Sequence, residues 1–277
     1  MENENKIPLR DTDLAAERKR APREKGVRYK EGMLGDIRLT ALTVTEDAED
    51  ARLPVGRTLS LALSPALLWT EEEREAVICA LRLGLQFFFS PLPERLLVVG
   101  LGNRRLMLDC LGPLTAERVE ASAALPALLK KCLTAKESTS IAVFQPDVFS
   151  KTGIESGQAV KAAVGVHSAD AVLAIDALAA RDPSRIFRVI EITDTGTVPG
   201  SGVGNGTLAL TEKVLGVPVI SIGVPVVARA GGDCFTVLRS TEDEQEVVAA
   251  LLSAAINLHF GGVPPLSDGT VFSLFSP

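Results

Sequence analysis

Two spacings of apolar residues organise the chain. From 36 to 44 and from 57 to 63, apolar and polar positions alternate (Ile37, Leu39, Ala41; Leu59, Leu61, Leu63), the period of half-buried strands. These two segments are expected to pair antiparallel. Residues 71 to 88 have the wider spacing of an amphipathic helix, and Thr70-Glu-Glu-Glu73 opens it with a capping box and acids in its first turn. Beyond it, aliphatic runs at 96–99, 140–144, 171–175, 186–192 and 217–222 alternate with helix-like segments at 111–133, 153–166, 207–215 and 241–259. That alternation predicts an α/β fold, a three-layer sandwich with a mostly parallel twisted sheet and helices on both faces.

Residues 1 to about 33 break the pattern. They are charged and lack apolar periodicity, so a mobile leader is expected there, with ordered structure beginning after it. No internal repeat or long low-complexity linker divides the remainder, which points to one α/β domain.

Composition narrows the class. The 277 residues are 46% hydrophobic but only 4% aromatic, so the core is aliphatic, as suits a buried parallel sheet. A net charge of -6 gives no overall pull toward nucleic acid or anionic membranes, and neither is expected as a partner. The basic run Arg18–Arg23 is local and reads as a solvated stretch or an interaction tail. No signal peptide or membrane-length apolar run is evident. Cys79, Cys110, Cys132 and Cys234 form no CxxC pair, which fits a reducing cytoplasmic location.

In open α/β sheets ligands collect beyond the carboxyl ends of strands, so the residues after each aliphatic run are the candidates. After 96–99 comes Gly100-Leu-Gly-Asn103 and then Asp109. The glycines allow a tight turn, but Arg105 stands where a dinucleotide fingerprint needs a third glycine. After 171–175 comes Asp176, with Arg181 close behind; burial raises such a carboxyl's pKa and Arg181 is expected to lower it, while a helix-capping Asp is the plainer reading. After 186–192 comes Asp194-Thr-Gly196 and the glycine-rich stretch Pro199-Gly-Ser-Gly-Val-Gly-Asn-Gly206. It lacks the Gly-Lys-Ser/Thr of a P-loop. Pepsin-like proteases carry an Asp-Thr-Gly in each of two β-rich lobes, whereas this chain has one copy in an α/β setting.

His167 and His259 have no metal-site spacing and are expected at the surface or as caps, so neither a metal nor a cofactor is expected. Cys110 leaves a thiol nucleophile open, beside its plainer reading as a small buried hydrophobe. Elimination leaves carboxylates as the acid-base groups, with Asp109 and Asp176 the best pair.

Gly100-Leu-Gly-Asn103, Asp109-Cys-Leu-Gly-Pro113, Thr152-Gly-Ile-Glu155, Ala174-Ile-Asp-Ala-Leu-Ala179, Asp194-Thr-Gly196, Pro199-Gly-Ser-Gly-Val-Gly-Asn205 and Gly216-Val-Pro-Val-Ile-Ser-Ile-Gly-Val-Pro225 together resemble the germination protease family of endospore-forming bacteria. Thr12-Asp-Leu-Ala15 is similar to the family's N-terminal segment. The resemblance implies an endopeptidase that degrades small acid-soluble spore proteins during germination, in the forespore and spore core. It implies a zymogen that cleaves off a short pro-segment, here residues 1 to about 10 ahead of a catalytic domain of 11–277, and a homotetramer. It places the proposed catalytic aspartates on Asp109 and Asp176, with Gly102, Asn103, Glu155, Arg181, Asp194, Gly202 and Asn205 supporting them. The chain departs from the family in being shorter, through a reduced segment around Ala230 to Phe235, and at Cys110 and Gln145-Pro-Asp147. It is distantly similar to hydrogenase-maturation endopeptidases, whose acid in this turn helps recognise a metal centre and falls on Asp109. A metal-recognising endopeptidase of that kind and a non-catalytic regulatory relative are the alternatives.

Overall fold

The computed structural model describes residues 13–18, 25–46, 48, 54–65, 69–124, 139–199, 208–231 and 234–276. The expected pro-segment 1–10, Thr12, residues 19–23 of the basic run, Cys132, Gly202 and Asn205 lie outside the described residues.

The described strands are β1 (Val27–Leu34), β2 (Ile37–Val44), β3 (Gly56–Ala62), β4 (Arg95–Gly100), β5 (Ser140–Phe144), β6 (Ala171–Ala180), β7 (Val189–Thr193), β8 (Val219–Gly231) and β9 (Cys234–Thr236). They form one sheet in the order β1-β2-β3-β7-β8-β6-β4-β5, with β9 paired to the far part of β8. The helices are α1 (Glu71–Phe88), α2 (Leu111–Ala116), α3 (Phe149–Thr152), α4 (Ser156–His167), α5 (Glu212–Leu215), α6 (Thr241–Phe260) and α7 (Thr270–Phe275).

The sheet is mixed, which corrects the expectation of a mostly parallel one. β5, β4, β6 and β8 run parallel, while β1, β2, β3, β7 and β9 join antiparallel. The cause is link length. Only residues 181–188, which include the 3-10 turn Pro183–Arg185, separate β6 from β7, and a parallel return needs a crossover of about a dozen residues or more.

β1 is a second correction, because it lies in the stretch expected to be a mobile leader. Its sequence, Val-Arg-Tyr-Lys-Glu-Gly-Met-Leu, shows no clean alternation and none of its residues is fully buried. An edge strand paired on one side needs no apolar face, and its charges discourage further pairing. The expected helix 153–166 is α4, which starts at Ser156, and Gly153 takes a left-handed conformation that ends the separate turn α3 before it. Within the described residues the expected helix 111–133 is the short α2.

Strand alternation sorts side chains onto two unlike faces. One face presents Leu59 and Leu61, Ile190 and Ile192, and Ile220 and Ile222 from β3, β7 and β8 into the main core, covered by α1 and α6. The capping box of α1 forms as expected, with Glu73 N–H donating to Thr70 Oγ1 at 3.2 Å and Thr70 N–H donating to the Glu73 carboxylate at 2.7 Å. On the other face Leu97, Val99, Val172 and Ala174 pack against Val160 and Val164 of α4 and Leu215 of α5. Where α4 and α5 stop, that second face turns polar.

Candidate active site

The polar part of the second face follows the strand register. Ser60 of β3 pairs with Glu191 of β7, Glu191 with Gly223 of β8, and Gly223 with Asp176 of β6. A second row sets Thr58 opposite Thr193 and Thr193 opposite Ser221. Thr58, Ser60, Glu191, Ser221 and Asp176 are all buried, and all of these but Ser60 line a cavity of about 270 Å³ that Asp13, Thr195 and Thr197 also line. Buried polar side chains have to be bonded. Here Ser60 Oγ donates to Glu191 Oε1 at 2.8 Å and Thr58 Oγ1 to Thr193 Oγ1 at 2.9 Å.

Asp176 sits inside β6, not in a loop beyond it and not at a helix start. β4 ends opposite Ile175, so Asp176 is the first residue of β6 with no β4 partner. Burial, followed by the charge of Asp109, pushes its pKa up to about 7, with Asp13 adding to the rise; hydrogen bonds from Thr197 and from the Ala177 N–H oppose it. Thr197 Oγ1 lies 3.1 Å from Asp176 Oδ2. Arg181, expected to lower this pKa, is not among the groups acting on it. What Arg181 contributes is its backbone N–H, which donates to Glu17 at 2.7 Å.

The loop after β4 carries Asp109. Leu101 N–H donates to Ile175 O at 2.9 Å, tying the start of the loop to the middle of β6. The turn requires glycine at 102, where φ is +114° and a Cβ would stand 2.1 Å from the Asp109 carbonyl oxygen. Gly112 is equally constrained, since a Cβ there would meet Leu101 O at 2.2 Å and Ile175 O at 2.5 Å. The carboxylate of Asp109 accepts the Asn103 N–H at 2.9 Å. Burial raises its pKa, the Asn103 bond opposes this, and the charge of Asp147 adds to the rise. Asp109 does not line the cavity, yet its charge reaches Asp176.

Among the described residues, the other candidates make contacts that hold the surrounding chain in place. Asn103 Oδ1 accepts the Arg105 N–H at 3.0 Å. Glu155 caps α4 by accepting the Gly157 and Gln158 N–H groups, and it also accepts the Leu208 N–H at 2.9 Å. It thereby anchors the chain just beyond the glycine-rich stretch. Asp194 accepts from Arg57 N–H at 2.5 Å and from Arg57 Nε at 2.8 Å, fixing β3 beside β7 at the cavity's rim. Cys110 is buried, its pKa is raised chiefly by that burial, and its Sγ lies 2.7 Å from Gln245 Oε1. This environment favours the thiol over the nucleophilic thiolate. His259 is buried within α6, not at the surface, and burial followed by the charge of Arg82 lowers its pKa to about 4.

Glu191 was missed from sequence. Its signal is the interruption of apolar runs by single polar residues at period two: Leu59-Ser-Leu61, Ile190-Glu-Ile192 and Ile220-Ser-Ile222. That pattern usually marks a solvent face.

Asp176 thus lies within β6, just past the level at which β4 ends, and the loop after β4 carries Asp109, whose charge acts on it. The family profile described as "Germination protease" matches residues 8–237. The germination protease of Caldanaerobacter subterraneus subsp. tengcongensis is 34% identical over 229 residues, covering 79% of this chain and 69% of its own length. That of Bacillus subtilis is 35% identical over 246 residues, covering 84% and 66%. This chain belongs to the germination protease family, and so to a family of peptidases acting on proteins. Among solved structures, the [NiFe] hydrogenase maturation protease HycI of Thermococcus kodakarensis aligns with 62% of this chain and 98% of its own at 19% identity and a TM-score of 0.36. Among the described residues no helix is long and apolar enough to cross a membrane.

Proposed function

We propose that the protein is an endopeptidase that degrades small acid-soluble spore proteins during germination, with Asp109 and Asp176 as its acid-base pair. The observation that carries this reading is the raised proton affinity of Asp176 beside the Asp109 charge. Two neighbouring carboxyls do not both ionise readily. Asp176, the more deeply buried, keeps its proton into the neutral range and serves as the acid. Asp109, which also accepts a backbone N–H, ionises first and serves as the base. The Asp109 carboxylate takes a proton from a water, the water's oxygen adds to the peptide carbonyl carbon, and Asp176 delivers its proton to the departing amine. The pair titrates as a unit, so the rate is greatest while it holds a single proton.

The family also supplies the finer parts of the reading. The protein acts in the forespore and spore core as a homotetramer, and it is made as a zymogen whose pro-segment, residues 1 to about 10, is removed from a catalytic domain of 11–277. Asp13, close behind that pro-segment in the sequence, lines the same cavity as Asp176, which supports this. Mass spectrometry of the purified chain over time tests it: a shortened chain is expected, and an uncut, fully active chain contradicts it. The acid-base pair itself is tested by Asp109→Asn and Asp176→Asn, each expected to lower cleavage of a small acid-soluble spore protein at least about 100-fold.

A further inference from the structure

The turn that carries Asp109 is shaped by bonds within itself. Leu106 N–H donates to Asn103 O at 2.9 Å, Asp109 N–H donates to Leu106 O at 2.8 Å, and the Asp109 carboxylate accepts the Asn103 N–H. α6 braces this turn from outside. Gln245 of α6 is only 1% exposed; its Nε2 donates to Met107 O at 2.5 Å, and its Oε1 lies 2.7 Å from Cys110 Sγ. These two partners flank Asp109 in the sequence. A carbonyl oxygen can only accept, so the amide nitrogen has to face Met107, which leaves the amide oxygen for the thiol. Burial, the largest cause, raises the pKa of Cys110, so the group stays an S–H donor. Both halves of a buried amide are thus satisfied by the Asp109 turn, as burial demands. At the other end of α2 a second amide of α6 does the same for a different stretch: Asn257 Nδ2 donates to Arg118 O at 3.0 Å, and Glu120 N–H donates to Asn257 Oδ1 at 2.9 Å.

We propose that Gln245 is a positioning residue for peptide hydrolysis, bracing the Met107–Cys110 turn from α6 so that the Asp109 carboxylate keeps its place relative to Asp176 of β6. The inference rests on the peptidase reading and deepens it. Gln245 touches the turn and does not line the cavity beside Asp176, so its effect falls on the placement of Asp109 and not on the binding of a substrate. A displacement of about 1 Å in a catalytic group is enough to cost up to about 100-fold in rate. Loss of the brace therefore lowers kcat and leaves KM in place. Asn257 supplies the contrast: it grips the same helix with the same chemistry, but at the end away from Asp109.

The test compares Gln245→Met with Asn257→Leu in the full chain. Each removes both hydrogen bonds of one buried amide, so both should lower the Tm. Steady-state cleavage of a purified small acid-soluble spore protein is then measured at a temperature where every variant is folded. Gln245→Met should lose at least about tenfold in kcat with KM within about twofold of wild type, whereas Asn257→Leu should keep the wild-type kcat. A second pair of variants reads the same brace from its other side. Cys110→Ala leaves the Gln245 oxygen buried without its donor and should lower kcat about threefold, while Cys110→Ser, which keeps a donor, should restore it. Wild-type kcat in Gln245→Met overturns the proposal, and so does an equal loss of kcat in Gln245→Met and Asn257→Leu. If Gln245→Met does not fold, the Cys110 pair decides, and a Cys110→Ala enzyme as active as Cys110→Ser overturns the proposal. A wild type that cleaves no protein refutes the peptidase reading itself, an outcome separate from all of these.

Discussion

Asp176→Asn should reverse part of the protein's pH dependence of stability, by an amount the structure sets. The pKa of Asp176 rises from an ordinary 3.8 to about 7 in the folded chain. A raised folded value means that its contribution is fully present below pH 3.8 and is lost as pH climbs to about 7. Across that window the unfolded chain has released a proton that the folded chain retains, so stability falls by about 1.4 kcal/mol per pH unit, about 4 kcal/mol in all. His259 works the other way. Its pKa falls from 6.5 to about 4, so its contribution is present above pH 6.5 and is lost as pH drops toward 4. The two slopes oppose each other between pH 4 and 6.5, and wild type alone does not resolve them.

The assay is urea unfolding of wild type and Asp176→Asn, followed by circular dichroism from pH 4 to 8.5. The amide cannot ionise, so the difference between the two proteins isolates Asp176. At pH 4 the variant should match wild type or fall slightly below it, because the contact with Thr197 changes. By pH 8 it should be more stable by up to about 4 kcal/mol. Parallel curves, with a constant difference across the range, refute the claim that Asp176 is buried with its proton.

Gly102→Ala forces a Cβ toward the Asp109 carbonyl at a φ of +114°; thermal unfolding should show a loss of at least about 2 kcal/mol, and activity should fall further as Asp109 moves. Glu155→Ala removes the cap of α4 and the anchor of Leu208, so stability should drop by about 1 kcal/mol. Hydrogen exchange at the Leu208 amide should quicken in the same variant.

The inner parallel strands β4 and β6 were legible because they are buried on both faces and read as plain aliphatic runs. Leu96 to Val99 and Ala171 to Ile175 each mark a strand, and Thr70 with Glu73 marks the start of α1. Strand ends were harder to read. β8 continues past Ile222 to Gly231, since pairing with neighbouring strands decides how far a strand runs. Asp176 was found as a polar residue closing an apolar run, but its position within β6 depends on β8 continuing beside it. The place of Glu191 was not legible, because a polar residue alternating with isoleucines looks alike whether it faces solvent or a covered cavity. Asp13 and Ala15 help to cover this one, in a stretch whose charge suggested a mobile leader.

The most direct measurement of the acid-base pair is kcat/KM for a purified small acid-soluble spore protein, followed from pH 4 to 9 with wild type, Asp109→Asn and Asp176→Asn, each verified as folded. Wild type should give a bell whose alkaline limb falls near pH 7, the pKa of Asp176, and both amide variants should lie at least about 100-fold below it throughout. Cleavage at the wild-type rate by either variant would contradict the pair.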